Sequence, residues 1–410
     1  MTISAKTQTS YDLLAPEVLF NPYPLYQQIR ADKPVYFYEK KGFWFLTRYQ
    51  DVEAALLDPR LSSNRQALLT SQLPDSDLSI IQNLMKFTSN FIVEKDPPIH
   101  TDLKDISTPS FTDQALASWQ ATIQNITDNV LDEIAQQQSI DVVADLSLKI
   151  PSMVTATIFD VPEADRENLI YWSKSISNFW GFSTRENIQE VAKQADVGAL
   201  NFTALIQRLV TEHQQQSGNS VLSLLINAFA EKELNFELLP SLGIAILGGD
   251  YLITSDMIAN GIYTLLSHPH QWQKLKENPE LVNSAIEELM RFDNSLQVAF
   301  RFAKENLTIG GVEIPAGSIV ALAIGAANRD PEKFDNPEVF DITRSPNEHL
   351  SFGKGIHYCL GAALARMELK ACFSTLIRRL PNLHFDPDRP PVFRRNNLAF
   401  KGFESLHVKF

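Results

Sequence analysis

Between residues 112 and 290 apolar side chains recur three and four positions apart almost without a break, the spacing of helices that bury one face. Toward both ends of the chain the period changes. Short runs rich in β-branched and aromatic residues predict strands at Val35–Tyr38, Gly42–Thr47, Leu307–Ile309, Val312–Ile314, Ser318–Ala323 and Leu406–Phe410. Helical stretches at Pro22–Arg30 and Asp51–Leu57 flank the first two. Ser241–Leu266 reads as one long apolar helix that stops before His268-Pro269, because the residue ahead of a proline is pushed out of the α region. The pattern predicts a mainly α protein with small β-sheets, and it lacks the strand–helix alternation of a βαβ array. Length alone would allow about two or three domains. No Gly/Ser-rich linker, like-charge block or internal repeat divides the chain, so one domain over 1–410 is expected.

Charge and cysteine content narrow the class. A net charge of −13 argues against a nucleic-acid partner, which needs a basic face. No continuous run of about 18 apolar residues occurs, so no membrane-spanning helix is expected. The polar N-terminus lacks the apolar core of a signal peptide. The two cysteines, Cys359 and Cys372, fall on what reads as one helix, about 20 Å apart and beyond disulfide reach. A cytoplasmic monomer is the expectation. Neither glycine-rich nucleotide fingerprint is present.

The segment with the most chemistry is Ser351–Leu369, SFGKGIHYCLGAALARMEL. Gly353 and Gly355 permit turns that residues with a Cβ resist, and strong helix formers follow Gly361. Cys359 is thereby delivered to a helix start, where the macrodipole and unpaired N–H groups favour the thiolate. A thiolate among N–H donors is a ligand for haem iron. A lone cysteine is more often buried core, so the surrounding residues decide.

The run F-G-x-G-x-H-x-C-L-G, from Phe352 to Gly361, resembles the haem-binding loop of the cytochrome P450 family at every defining position. Glu288 and Arg291 look like that family's E-x-x-R, and Arg344 like the third member of the same buried network. Phe20–Arg30, Ala327–Arg344 and the tail GFESLHVKF resemble further family segments. The resemblance implies heme b (iron protoporphyrin IX) held between the long central helix and the helix after the cysteine. It makes Cys359 the axial ligand and metal contact, with Phe352 shielding the sulfur and Gly361 letting the flat cofactor approach. It places His100, Lys104, Arg301 and His357 on the propionates. Lys104 stands where the family commonly has arginine, which removes a bidentate fork.

The central helix departs from the family. The acid and threonine that support proton delivery there read Leu252 and Ile253 in this chain. Asp250 and Thr254 share one helix face and could rebuild the path one turn displaced. The resemblance implies a monooxygenase that takes O2 and two electrons from a separate ferredoxin and ferredoxin reductase and oxidises an apolar small molecule. The missing pair also leaves a peroxide-driven or redox-neutral enzyme open, with a non-catalytic haem sensor as a third reading. Expected pocket residues are Phe87, Phe179, Ile246, Gly249, Leu296, Val298 and Leu398, with Phe91 and Trp180 adding aromatic surface. Lys104, Lys354, Arg366, Lys370, Arg378 and Arg379, on the cysteine side, would steer an acidic electron donor.

Overall fold

Helix formers at three- and four-residue spacing settle into long helices through the middle of the chain, and the longest is the central helix Leu239–Ser267. The structure is a computed structural model that describes residues 11–89, 91–179, 187–214, 220–233, 236–395 and 397–410, and only the backbone of residues 67, 237, 244 and 248–250. Leu242, Leu247, Ile258, Ile262 and Leu265 of the central helix are buried on several faces. Helices Lys149–Ile158, Ile188–His213, Val282–Phe292 and Ala362–Arg379 pack around it. A helix that is apolar all round must be buried, and this one is. It is also the one described helix long and apolar enough to cross a bilayer, contrary to the expectation of none. Asp250, Thr254 and Ser255 interrupt the continuous apolar run in sequence, yet the average still passes. Its most apolar window is 71% buried within the protein, so that apolarity is used in packing.

The strands near the two ends of the chain meet in one five-stranded sheet. Its order is Val35–Tyr38, Phe43–Leu46, Ile319–Leu322, Ala299–Ala303 and Leu61–Ser62. Phe43–Leu46 runs parallel to Ile319–Leu322, and the other pairings are antiparallel. Val35–Tyr38, Leu307–Ile309 and Val312–Ile314 fall where the pattern predicts them, as do helices Tyr23–Asp32 and Tyr49–Leu57 to within two residues. Ala299–Ala303 and Leu61–Ser62 were not predicted. The first has a buried Arg301 at its centre, and the second is too short to show alternation. The strand Ser139–Asp141 interrupts the helical region because the tail strand His407–Lys409 pairs with it.

Helix Val282–Phe292 carries Glu288 and Arg291, the fully buried pair at the centre of the network. Arg291 donates to both Glu288 oxygens at 2.7 and 2.8 Å, with neither side chain exposed to solvent. Arg344 donates to Glu288 Oε1 at 3.2 Å, the Asp341 amide at 3.0 Å, and Asn347 Nδ2 to Oε2 at 3.1 Å. Arg291 also donates to the Asn328, Pro337 and Val339 carbonyls. Removing one partner strands a buried charge, so Glu288→Ala or Arg291→Ala should cost about 3–5 kcal/mol. Urea unfolding checks this; wild-type midpoints and haem content in both variants would refute it.

Candidate active site

Ser351 joins the buried network to the cysteine loop. Its Oγ donates to the Met290 carbonyl at 2.7 Å and accepts from Asn328 Nδ2 at 2.8 Å. Beyond it the chain turns twice at positive φ, at Gly353 (+70°) and Gly355 (+73°). A Cβ at Gly355 would also come within 2.9 Å of Leu57, so that position has both a conformational and a steric reason to be glycine. The Cys359 amide donates to the Phe352 carbonyl at 2.9 Å and closes the loop. Helix Ala362–Arg379 begins three residues later with Gly361 as its N-cap. Cys359 is exposed and Cys372 is buried, its thiol pushed up to about 12 by burial and by Glu368; neither is in a disulfide.

Cys359, Phe352 and Gly361 face a cavity of about 410 Å³ between this loop and the central helix. His100, Lys104, Arg301 and His357 line the same cavity, together with Arg65, which no sequence motif marked. The His100 and His357 ring centroids are 4.1 Å apart. Lys104 Nζ donates to the Ile356 carbonyl. Burial, then Arg301, His100, Arg65 and Lys104, push His357 down to about 3. Burial and Arg65 hold Arg301 down to about 10, with Asp96 as a weaker opposing influence. His100 Nδ1 is buried without a hydrogen-bond partner. Cationic groups gathered on one wall, lowering one another's proton affinity, require anions to offset them. Two carboxylates at the edge of a flat cofactor whose metal faces Cys359 meet that requirement. The residues present fit haem.

The central helix forms another wall. Leu252, Ile253 and Thr254 line the cavity, and the Thr254 side chain is buried there. Tyr251 points elsewhere and donates to the Ile170 carbonyl at 3.1 Å. Gly249 and Asp250 lie in the helix, but their side chains are outside the described residues, as is Trp180. Phe87, Phe91, Ile246 and Leu296 line the cavity. Phe179, Val298 and Leu398 do not. Phe179 is wholly buried in the helical core, while Val298 and Leu398 pack with Phe43, Phe45 and Phe300 behind the sheet. The backbone explains the correction. Segments 294–299 and 397–401 are zipped together through Gln297 N–Ala399 O and Lys401 N–Ser295 O, both 2.8 Å. That pairing presents Leu296 and Phe400 to the cavity and turns Val298 and Leu398 away.

No motif marks Asp256, a buried acid on the cavity wall. It accepts from Ser295 Oγ at 2.8 Å and pairs with Arg394, and burial raises its pKa against both partners. Most of the basic residues on the cysteine side are paired with acids. Lys354 meets Glu53, Arg366 meets Glu287 at 2.7 Å, Arg378 meets Asp128 at 3.4 Å, and Arg379 meets Asp132. The basic patch inferred from sequence is thus largely neutralised locally.

Fold and site together define a haem-thiolate oxidoreductase. The sequence matches the family model for cytochrome P450 over residues 39–401, and the chain belongs to that family, whose members bind haem through a cysteine thiolate. It is a monooxygenase in the general sense of that family. It is 35% identical, over 100% of both chains, to the biotin biosynthesis cytochrome P450 of Bacillus subtilis (strain 168). It is 31% identical to the polyketide biosynthesis cytochrome P450 PksS of the same organism, over 95% of each chain. Among solved structures, P450BioI in complex with an acyl carrier protein ligated to hexadec-9Z-enoic acid superposes with a TM-score of 0.88. That match has 34% identity and covers 96% of this chain and 100% of that one. Myxobacterial CYP267B1 in complex with myristic acid gives 0.87 at 31% identity, covering 97% and 98%.

Two outcomes follow from the loop. Cys359→Ser or Cys359→His should abolish the long-wavelength Soret band of the reduced CO complex; a variant that keeps it would show that another group holds the iron. Burial alone would raise the Glu287 carboxyl, but bonds from Arg366 and His349 outweigh it and hold it down to about 2. A depressed carboxyl stabilises the fold above its unfolded value and loses that contribution on acidification, here between about 4.5 and about 2. Glu287→Gln should therefore flatten the fall in unfolding free energy over that range. Superimposable pH profiles would remove the ion pair from the stability of the cysteine helix.

Proposed function

We propose that the chain, acting as one cytoplasmic domain and as a monomer, oxidises an apolar small molecule with electrons from a separate ferredoxin-type donor. The carrying observation is the wall facing Cys359, where Phe87, Phe91, Ile176, Phe202, Ile246 and Leu296 form a continuous apolar surface. Burying a substrate's hydrocarbon against such a surface contributes about 25 cal/mol per Å². Relatives crystallised with hexadec-9Z-enoic acid, myristic acid or testosterone support a substrate of acyl-chain or steroid character.

In this reading Cys359, kept as thiolate by its place ahead of a helix N-terminus, would hold the iron, and Phe352 would shield the sulfur. Arg301, His100, His357, Lys104 and Arg65 would hold the propionates, and Gly361 would leave room for the ring. Bound haem supplies reductive activation of O2, with one oxygen atom entering the substrate and the other leaving as water. The Thr254 hydroxyl, set beside Leu252 and Ile253 on the cavity wall, would hold and pass a proton at Oγ1. Asp250, one turn earlier on the same helix face, replenishes it. The apolar wall excludes bulk water and keeps protons on that route.

Titration of the haem-loaded protein with hexadecanoate, myristate and testosterone should shift the Soret band to shorter wavelength as substrate displaces water. The apolar-substrate reading fails if none of these perturbs the band. Thr254→Val should lower product formed per electron pair by about tenfold, divert electrons to peroxide, and change the substrate dissociation constant by less than about twofold. Unchanged coupling would take Thr254 out of proton delivery.

A further inference from the structure

Several buried or half-buried hydroxyls in the helices of this protein bond the carbonyl four residues back. Ser107 does so at 2.8 Å, Thr127 at 2.8 Å, Ser175 at 2.8 Å and Thr203 at 2.7 Å. Ser173, in helix Glu163–Phe179, does not. The carbonyl it would use belongs to Leu169, and the phenol of Tyr251 from the central helix occupies that place, 3.5 Å from Leu169 O and 3.1 Å from Ile170 O. Ser173 is 4% exposed, its Oγ lacks a hydrogen-bond partner, and it lines the cavity. Its polar neighbour is the Tyr251 phenol, whose pKa it draws down against the larger upward push of burial, yet the two make no bond of acceptable geometry. A buried hydroxyl left without a partner is costly, and here the cavity is the side from which a partner can come. Ser177, one turn on, lines the same wall.

The charge around this hydroxyl limits what can bind it. The helices packed on Glu163–Phe179 contribute Thr155, Ile158, Phe202 and, from the central helix, Ile246, Leu252 and Asp256 to the lining, and the charged one among these, Asp256, is an acid paired with Arg394. Among the described lining residues, the cations belong to the cluster at the cysteine loop, which the propionates would engage. A carboxylate beside Ser173 would be desolvated without a counter-charge, whereas a neutral oxygen needs only a hydrogen bond.

We infer that Ser173, with Ser177 beside it, anchors an uncharged oxygen of the substrate, so that the molecule oxidised is an apolar chain or ring bearing an alcohol or ester rather than a free acid. This rests on the cavity being the substrate chamber. Tyr251 is a positioning residue, since it takes the carbonyl that would otherwise engage Ser173.

The test uses the haem-loaded full chain and four matched probes, dodecane, dodecanol, methyl dodecanoate and dodecanoate, with dissociation constants read from the Soret shift. Wild-type protein should bind dodecanol and methyl dodecanoate about tenfold more tightly than dodecanoate. Ser173→Ala should weaken dodecanol about fivefold, the loss of one neutral hydrogen bond, and leave dodecane within about twofold. Tyr251→Phe should reproduce part of that loss, because the freed Leu169 carbonyl then competes for the Ser173 hydroxyl. Equal weakening of dodecane and dodecanol by Ser173→Ala overturns the anchor, as does tightest wild-type binding of dodecanoate. If dodecane binds and the alcohol gains nothing over it, the anchor alone falls. If no probe shifts the band, the apolar chamber falls and the anchor with it.

Discussion

A carboxylate removed entirely from water is among the most expensive groups a fold can contain, and Glu288 is such a group. It is tolerable because Arg291 and Arg344 reach it with oriented N–H donors while the Asp341 amide and Asn347 take its remaining lone pairs. Apart from Arg291, those donors come from the segment between residues 341 and 347, which has no helix or strand of its own, so the carboxylate gives that segment its shape. Four residues beyond it stands Ser351, which begins the cysteine loop. Placement of the Cys359 sulfur thus traces back to a charge balance on a different helix.

Legibility in the sequence followed how local each interaction is. The cysteine loop could be read because its requirements are written in adjacent residues: two glycines at positive φ, a cysteine and a run of helix formers. Glu288 and Arg291 are one helix turn apart and could be read once their place before the loop was recognised. Arg65 could not, since it is a single basic residue in an irregular stretch and reaches the cationic cluster only through tertiary packing. The same holds for Asp256, whose partners Ser295 and Arg394 come from distant segments. Phe179 is turned into the helical core by its helix, and Val298 and Leu398 lie off the cavity for a related reason. Composition shows that a segment is apolar, whereas the zipping of segments 294–299 and 397–401 decides which of its side chains face inward.

The central helix shows how a departure from a family pattern is redistributed. Where the pattern puts an acid and a threonine, this chain has Leu252 and Ile253 on the cavity wall, with a hydroxyl at the next position. Tyr251 turns away into helix Glu163–Phe179 and fastens the two helices through backbone carbonyls. A tyrosine that costs the cavity a polar group on one helix leaves it a free hydroxyl on the neighbouring one.

The cysteine-side surface has a further consequence. Lys354, Arg366, Arg378 and Arg379 are matched within the chain by Glu53, Glu287, Asp128 and Asp132. Charges that cancel over a few ångströms project little field past a Debye length of about 8 Å at physiological ionic strength. A protein arriving at this face would feel it only at near contact, and productive encounters would be sorted by fit of shape rather than drawn in from a distance. The rate of electron entry would then vary weakly with salt, unlike that of proteins that display an uncompensated basic patch to their donors.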